Sequence, residues 1–183
     1  MFLSHTTIEK NINDRKIIIG PQFNKKNIRP VGIRLHLARE ILIPEHHQTV
    51  NLTQPTELRY TTIDIEKNEF YIEPGNFILA ATYETIQTTP DIVAVLDGRS
   101  TIARLGLTTH ITASIIDGTY GAPHAPTLEI KNMGPFRIRL NYLDPIAMLL
   151  FAQLTEPITQ KQQDQYTKTP NKVTPPLLYK YEQ

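Results

Sequence analysis

Cysteine is absent from the 183 residues. That absence removes disulfide frameworks, thiolate nucleophiles and thiolate zinc sites together. A dominant charge is missing too. Nineteen Lys and Arg face 18 Asp and Glu, so the formal net charge is +1. Composition therefore gives no case for nucleic acid or an acidic membrane as partner. No apolar run approaches the length that crosses a bilayer. The opening "MFLSHTTIEKNINDRK" is broken by charges too early to be a secretory signal. These absences lead to the expectation of a soluble, cytoplasmic protein. What is present is a 40% hydrophobic content, enough for one core at this length. Fourteen prolines and many threonines favour strands and turns over a helical bundle.

The chain reads as many short strands. Ser4 is placed to cap a helix over 4–13, with Ile8 and Ile12 on one face. "KIIIG" predicts a buried strand ending at Gly20. In "VGIRLHLAREILIP", Ile33, Leu35 and Leu37 alternate with Arg34, His36 and Ala38, the period of a half-buried strand. A polar loop from 45 leads to a strand near 59–63. "EFYIEPGNFILAATYETIQ" predicts two strands about the Pro74-Gly75 turn. "DIVAVLDG" leads into a glycine-rich stretch. "TLEIKNMGPFRIRLNYLDPIAMLLFAQLT" predicts three strands, with turns at Asn132–Gly134 and Asp144-Pro145. The pattern predicts a mainly β fold: one antiparallel barrel or jelly-roll-like domain over 1–183, with a helical turn or two within 98–106. From about residue 157 the composition turns to Gln, Lys, Thr and Pro. That predicts a mobile tail over 157–183.

The stretch "LDGRSTIARLGLTTHITASIIDGTYG" carries the candidate chemistry. Gly98 allows backbone to approach a ligand closely. Arg99 and Arg104 bring permanent positive charge. Ser100 and Thr101 add hydroxyls at a helix start. Together they suit a polyphosphate, although a helix start with two surface arginines has the same spacing. Glu129 sits on the Thr127/Glu129/Lys131 face of an alternating strand, opposite Leu128 and Ile130. The pattern alone fits a solvent-facing glutamate as well as a base. Asp117 precedes Gly118, as a turn aspartate does. His46-His47 fit a solvated loop, and His110 and His124 read as structural. The His-x-Glu and paired-cysteine elements of zinc deaminases are both missing.

"DGRSTIARLGL" resembles "GRSSLARLGL", the signature of the deaminase branch of the dCTP deaminase/dUTPase superfamily. "THITASIIDGTYG" is similar to that branch's "VHVTAHRIDPGWEG", and "TLEIKNMG" to its "VLEFYNSG". The likeness covers about residues 3–155. It implies a distorted β-barrel that forms a homotrimer and deaminates dCTP hydrolytically without zinc. Glu129 falls on the catalytic glutamate, which moves a proton from water to the leaving amine in a partly dry pocket. Ser100 and the Ala113 carbonyl would hold the water, and Arg104 would stabilise the tetrahedral species. Arg99, Ser100 and Thr101 would face a triphosphate that brings its own Mg²⁺, and Asp117 the deoxyribose hydroxyl. Thr127 and Leu128 would present strand backbone to the base.

Some positions depart from that pattern. Eleven residues, "GTYGAPHAPTL", separate Asp117 from Glu129, two more than in the deaminase branch. Tyr120 follows the dUTPase habit of packing a tyrosine on deoxyribose. Ser114 replaces a histidine. The tail keeps Tyr166 of the segment that closes over phosphates, but Gln165 precedes it in place of lysine. Two other readings therefore stand beside dCTP deamination. One is a dUTP diphosphatase, or a bifunctional enzyme giving dUMP. Met148, where dUTPases carry glutamine, weighs against the pure diphosphatase. The other is a nucleotide-binding relative without catalysis.

Overall fold

The computed structural model describes residues 1–52, 56–119, 122–159 and 172–176. Tyr120 and Tyr166 lie outside the described residues, as do 160–171 and 177–183 of the tail. Helix α1 spans His5–Asn13, with Ile8 fully buried and Ile12 packed beside it, the expected one-turn spacing. Ser4 is its N-cap residue, but the hydroxyl makes no cap bond and lies 3.4 Å from Thr7 Oγ1. After α1, β1 (Ile17–Gly20) pairs antiparallel with β6 (Thr85–Thr88).

The long β2 (Ile33–Pro44) organises the main sheet. Ile33, Leu35, Leu37 and Ile41 are fully buried, as the alternation predicts. Its first half pairs with β12 (Pro145–Gln153). Its second half pairs with β3 (Tyr60–Asp64) and β5 (Phe77–Thr82). Register shifts at Leu37/Ile41 and Pro145/Ala147 bend β2 between these partners, and such irregularities curl a sheet. On one flank β10 (Thr127–Asn132) adds to β5, and β8 (Leu107–Thr108) to β10. On the other, β7 (Ile92–Gly98) adds to β12, and β9 (Ile115–Ile116) to β7. The strands flanking Pro74-Gly75 do not pair with each other: β4 (Phe70–Ile72) takes β11 (Ile138–Leu140) instead.

Inside the curl lies a core of Ile8, Ile17, Ile33, Leu35, Ile72, Ile86, Leu128 and Phe151, among others. Each such side chain contributes about 1.5–3 kcal/mol when fully buried. The outer face of β2 and β5 carries a smaller apolar cluster of Leu42, Leu79, Ala81, Ala125 and Val173. So "FILAAT" is covered on both faces, which explains its unbroken apolar run.

Helix α2 (Ser100–Ala103) is the helical turn expected in the glycine-rich stretch. Gly106 closes the loop after it at φ +82°, where a Cβ would fall 2.4 Å from Gly134 N. A side chain at Gly134 would meet Leu105 O at 1.9 Å. This paired approach ties the α2 loop to the turn after β10. Gly98 is not crowded by its own chain. A Cβ there would touch only Thr109 Oγ1, at 3.7 Å, so nothing within the described residues requires glycine.

Candidate active site

The alternation of β10 decides what Glu129 can do. Leu128 and Ile130 point into the core, fully buried. Thr127, Glu129 and Lys131 therefore line the outer face, half-buried. Glu129 and Thr127 border a cavity of about 420 Å³, which Ala113 also borders. Phe77, Leu79, Ile115 and Pro126 make its walls largely apolar. Glu129 Oε2 accepts the Ile111 amide at 3.1 Å. No hydrogen bond to Oε1 is made among the described residues, so that oxygen can address a small molecule. A flat heterocycle between apolar walls, with one carboxylate and strand backbone at its edge, suits such a space. Leu128 is not among the residues that line the cavity, and its side chain belongs to the core.

The structure brings Glu129, Ala113 and Thr127 together; it does not bring Arg99, Ser100, Thr101, Arg104 or Asp117 into the same cavity. Ser100, Thr101 and Arg104 are exposed on and just after α2. Arg99 is the N-cap residue of α2, and its Nη1 donates to the Pro145 carbonyl. Burial, and then the charges of Arg34 and Arg29, pull the Arg99 guanidinium below its usual value. None of the ion pairs among the described residues involves Arg29, Arg34, Arg99 or Arg104. Arg34 Nε is buried without a partner. This clustered charge can meet a polyanion. Asp117 accepts the Thr119 amide at 3.0 Å and the Thr119 hydroxyl. It shapes the turn at residues 117–119.

His46 and His47 sit in an exposed loop, with ring centroids 6.2 Å apart. His124 bridges by its backbone to Ile86 and borders the cavity. His110 borders a second cavity of about 580 Å³, with Nε2 3.9 Å from Asp97 Oδ1. Sequence reasoning missed the cavity walls, namely Tyr60, Phe77, Leu79 and Thr174. Their one signal was the doubly apolar run of β5. It also missed the Ile111 amide, which no side-chain pattern encodes.

Among known proteins, a family model described as dCTP deaminase-like matches residues 2–154. The chain is 34% identical over 160 residues to a protein of Methanosphaera stadtmanae named "dCTP deaminase, dUMP-forming", covering 85% of this chain and 80% of that one. It is 36% identical over 168 residues to a Psychromonas ingrahamii "dCTP deaminase", covering 86% of each. A solved 2'-deoxycytidine 5'-triphosphate deaminase from Agrobacterium tumefaciens shares the fold. Its TM-score is 0.62 at 16% identity, over 82% of this chain and 47% of that one.

Proposed function

The chain belongs to the dCTP deaminase-like family, and from that premise we propose that it deaminates dCTP hydrolytically to dUTP and ammonia. The observation that carries this reading is Glu129, held by the Ile111 amide at the edge of an apolar cavity beside Thr127 and Ala113. In the proposed reaction Glu129 takes a proton from water as the oxygen attacks cytosine C4. It then returns that proton to the exocyclic nitrogen, the C4–N bond breaks and ammonia leaves. Backbone groups of Thr127 and Leu128 orient the base, and the Ala113 carbonyl and Ser100 hold the water.

Arg104 would stabilise charge on the tetrahedral carbon's substituents. Arg99, Ser100 and Thr101 would bind the triphosphate, whose oxygens would carry Mg²⁺. Asp117 and Tyr120 would meet the deoxyribose, and Tyr166 the phosphates. Because the α2 residues stand outside the Glu129 cavity, a second copy of the chain would deliver them, in a homotrimer. Exposed Leu105, Ile111, Ile115 and Met133 around this region support such coverage. The same reading places the enzyme in the cytoplasm, with free deoxynucleotides. No helix among the described residues is long and apolar enough to cross a membrane.

A dUMP-forming variant of the reaction is the second reading, favoured by the likeness to the Methanosphaera "dCTP deaminase, dUMP-forming". Incubating the protein with dCTP and Mg²⁺, and separately with dUTP, then resolving the nucleotides, tests both. Accumulating dUTP supports deamination alone. The appearance of dUMP from dCTP shifts the reading to the bifunctional enzyme. If both nucleotides persist unchanged, the catalytic proposal fails.

A further inference from the structure

The described residues of the tail include 172–176, a segment that sits against the Glu129 cavity. Val173 is buried, packed in the outer cluster with Leu42, Leu79, Ala81 and Ala125. The next residues, Thr174 and Pro176, line the cavity together with Thr127 and Glu129. Leu79 joins the two features: it both receives Val173 and walls the cavity. The segment is stiff by composition. Pro175 and Pro176 fix two φ angles in succession, so fewer conformations are lost when it docks. Thr174 Oγ1 also donates back to the Lys172 carbonyl at 3.3 Å.

We infer that Val173 is an apolar anchor that positions residues 172–176 as a wall of the substrate cavity, on the side of Thr127 and Glu129. The tail then does more than reach phosphates: it narrows the space left for the base. Val173 touches no reacting group, so it acts as a positioning residue, through Thr174 and Pro176. The functional half of this inference rests on the dCTP reading above, whereas the docking half does not.

Two measurements on the full-length protein separate them. The bond after Lys172 is a trypsin site that docking of Val173 shields. In Val173→Asp, cleavage there should accelerate about tenfold, while Val173→Ile should cleave as slowly as the natural chain. With dCTP as substrate, Val173→Asp should raise KM about tenfold with kcat within a few-fold, and Val173→Ile should restore KM. Equal cleavage of Val173→Asp and the natural chain overturns the anchor. Faster cleavage with unchanged KM overturns the wall. If the natural chain leaves dCTP untouched, the functional reading fails, and the cleavage rates still decide whether the segment docks.

Discussion

The two ends of β7 are built from the same strand, and they have opposite character. At its first end the polar groups are matched with one exception, Thr89 Oγ1, which is buried without a hydrogen-bond partner among the described residues. Asp91 accepts Lys16 Nζ and Gln153 Nε2, each at 3.1 Å, and its carbonyl accepts Gln153 Nε2 and the Leu154 amide, each at 2.9 Å. Thr88 Oγ1 donates to the Ile92 carbonyl at 2.8 Å. This knot joins β1, β6, β7 and β12. At the far end, Gly98 runs into Arg99 and α2. There Arg34 Nε, Thr109 Oγ1 and His110 Nδ1 are buried without partners. Arg99, Arg34 and Arg29 gather there and join none of the ion pairs among the described residues, and large apolar side chains are exposed. Buried polar atoms are nearly always satisfied in a finished structure. A region that collects three unsatisfied ones beside a neighbour with one is suited to completion by something else. Ligand and second copy are the completing parts proposed here.

That contrast makes opposite demands on substitutions at the two ends. The largest effect belongs to Glu129→Gln, which keeps volume and removes the base. Ammonia release from dCTP should fall about 10³-fold, with dCTP affinity and Tm nearly unchanged. Next comes Arg104→Ala. It should cost about 10²-fold in kcat and leave thermal unfolding alone, because Arg104 is exposed and its side chain is bonded to no described residue. A near-normal kcat would remove its electrostatic role.

Framework residues, at either end, should respond in stability and not in rate. Asn132 is fully buried, and its Nδ2 donates to the carbonyls of Ile72 at 3.0 Å and Phe136 at 2.7 Å. Its Oδ1 accepts the Gly134 amide at 3.1 Å. Asn132→Ala strands these groups and should cost about 2 kcal/mol in denaturant unfolding. The smallest effect is at Asp91. The Thr89 hydroxyl, the Gln153 amide and Lys16 hold its carboxyl below the usual carboxylate range. A depressed folded pKa gives stability that is present above the unfolded value, near 4, and is lost as pH falls through the folded one. Asp91→Asn should therefore cost about 1 kcal/mol at pH 7. The gap to the natural chain should close steadily below about pH 4. A gap of constant size across that range would mean the ionised carboxylate contributes nothing special.

How much of this was legible beforehand follows from how far apart the cooperating residues lie. The alternation in β2 and β10 was readable because each strand writes its own burial, residue by residue. Glu129 and Thr127 were placed on one face of β10 by that rule alone, and Ala113 was added by resemblance. The cavity walls were hidden. Tyr60, Phe77 and Thr174 come from distant segments, and only the curl of the sheet brings them together. The Gly106–Gly134 contact was invisible for the same reason. No periodicity reports which side chains a second copy would cover. The exposure of Ser100 and Arg104, beside a Glu129 cavity they do not enter, is therefore a structural observation throughout.

The claim at the centre of this account is that the reactive end is completed between chains. Its most direct test mixes two inactive variants, Glu129→Gln and Arg104→Ala, co-refolded in equal amounts and assayed for ammonia release from dCTP. If one chain supplies Glu129 and another Arg104, random assembly leaves about a quarter of sites with both natural residues. Activity should return to about a quarter of that of the natural protein. Activity that stays at the level of the separate variants would mean that each chain completes its own site.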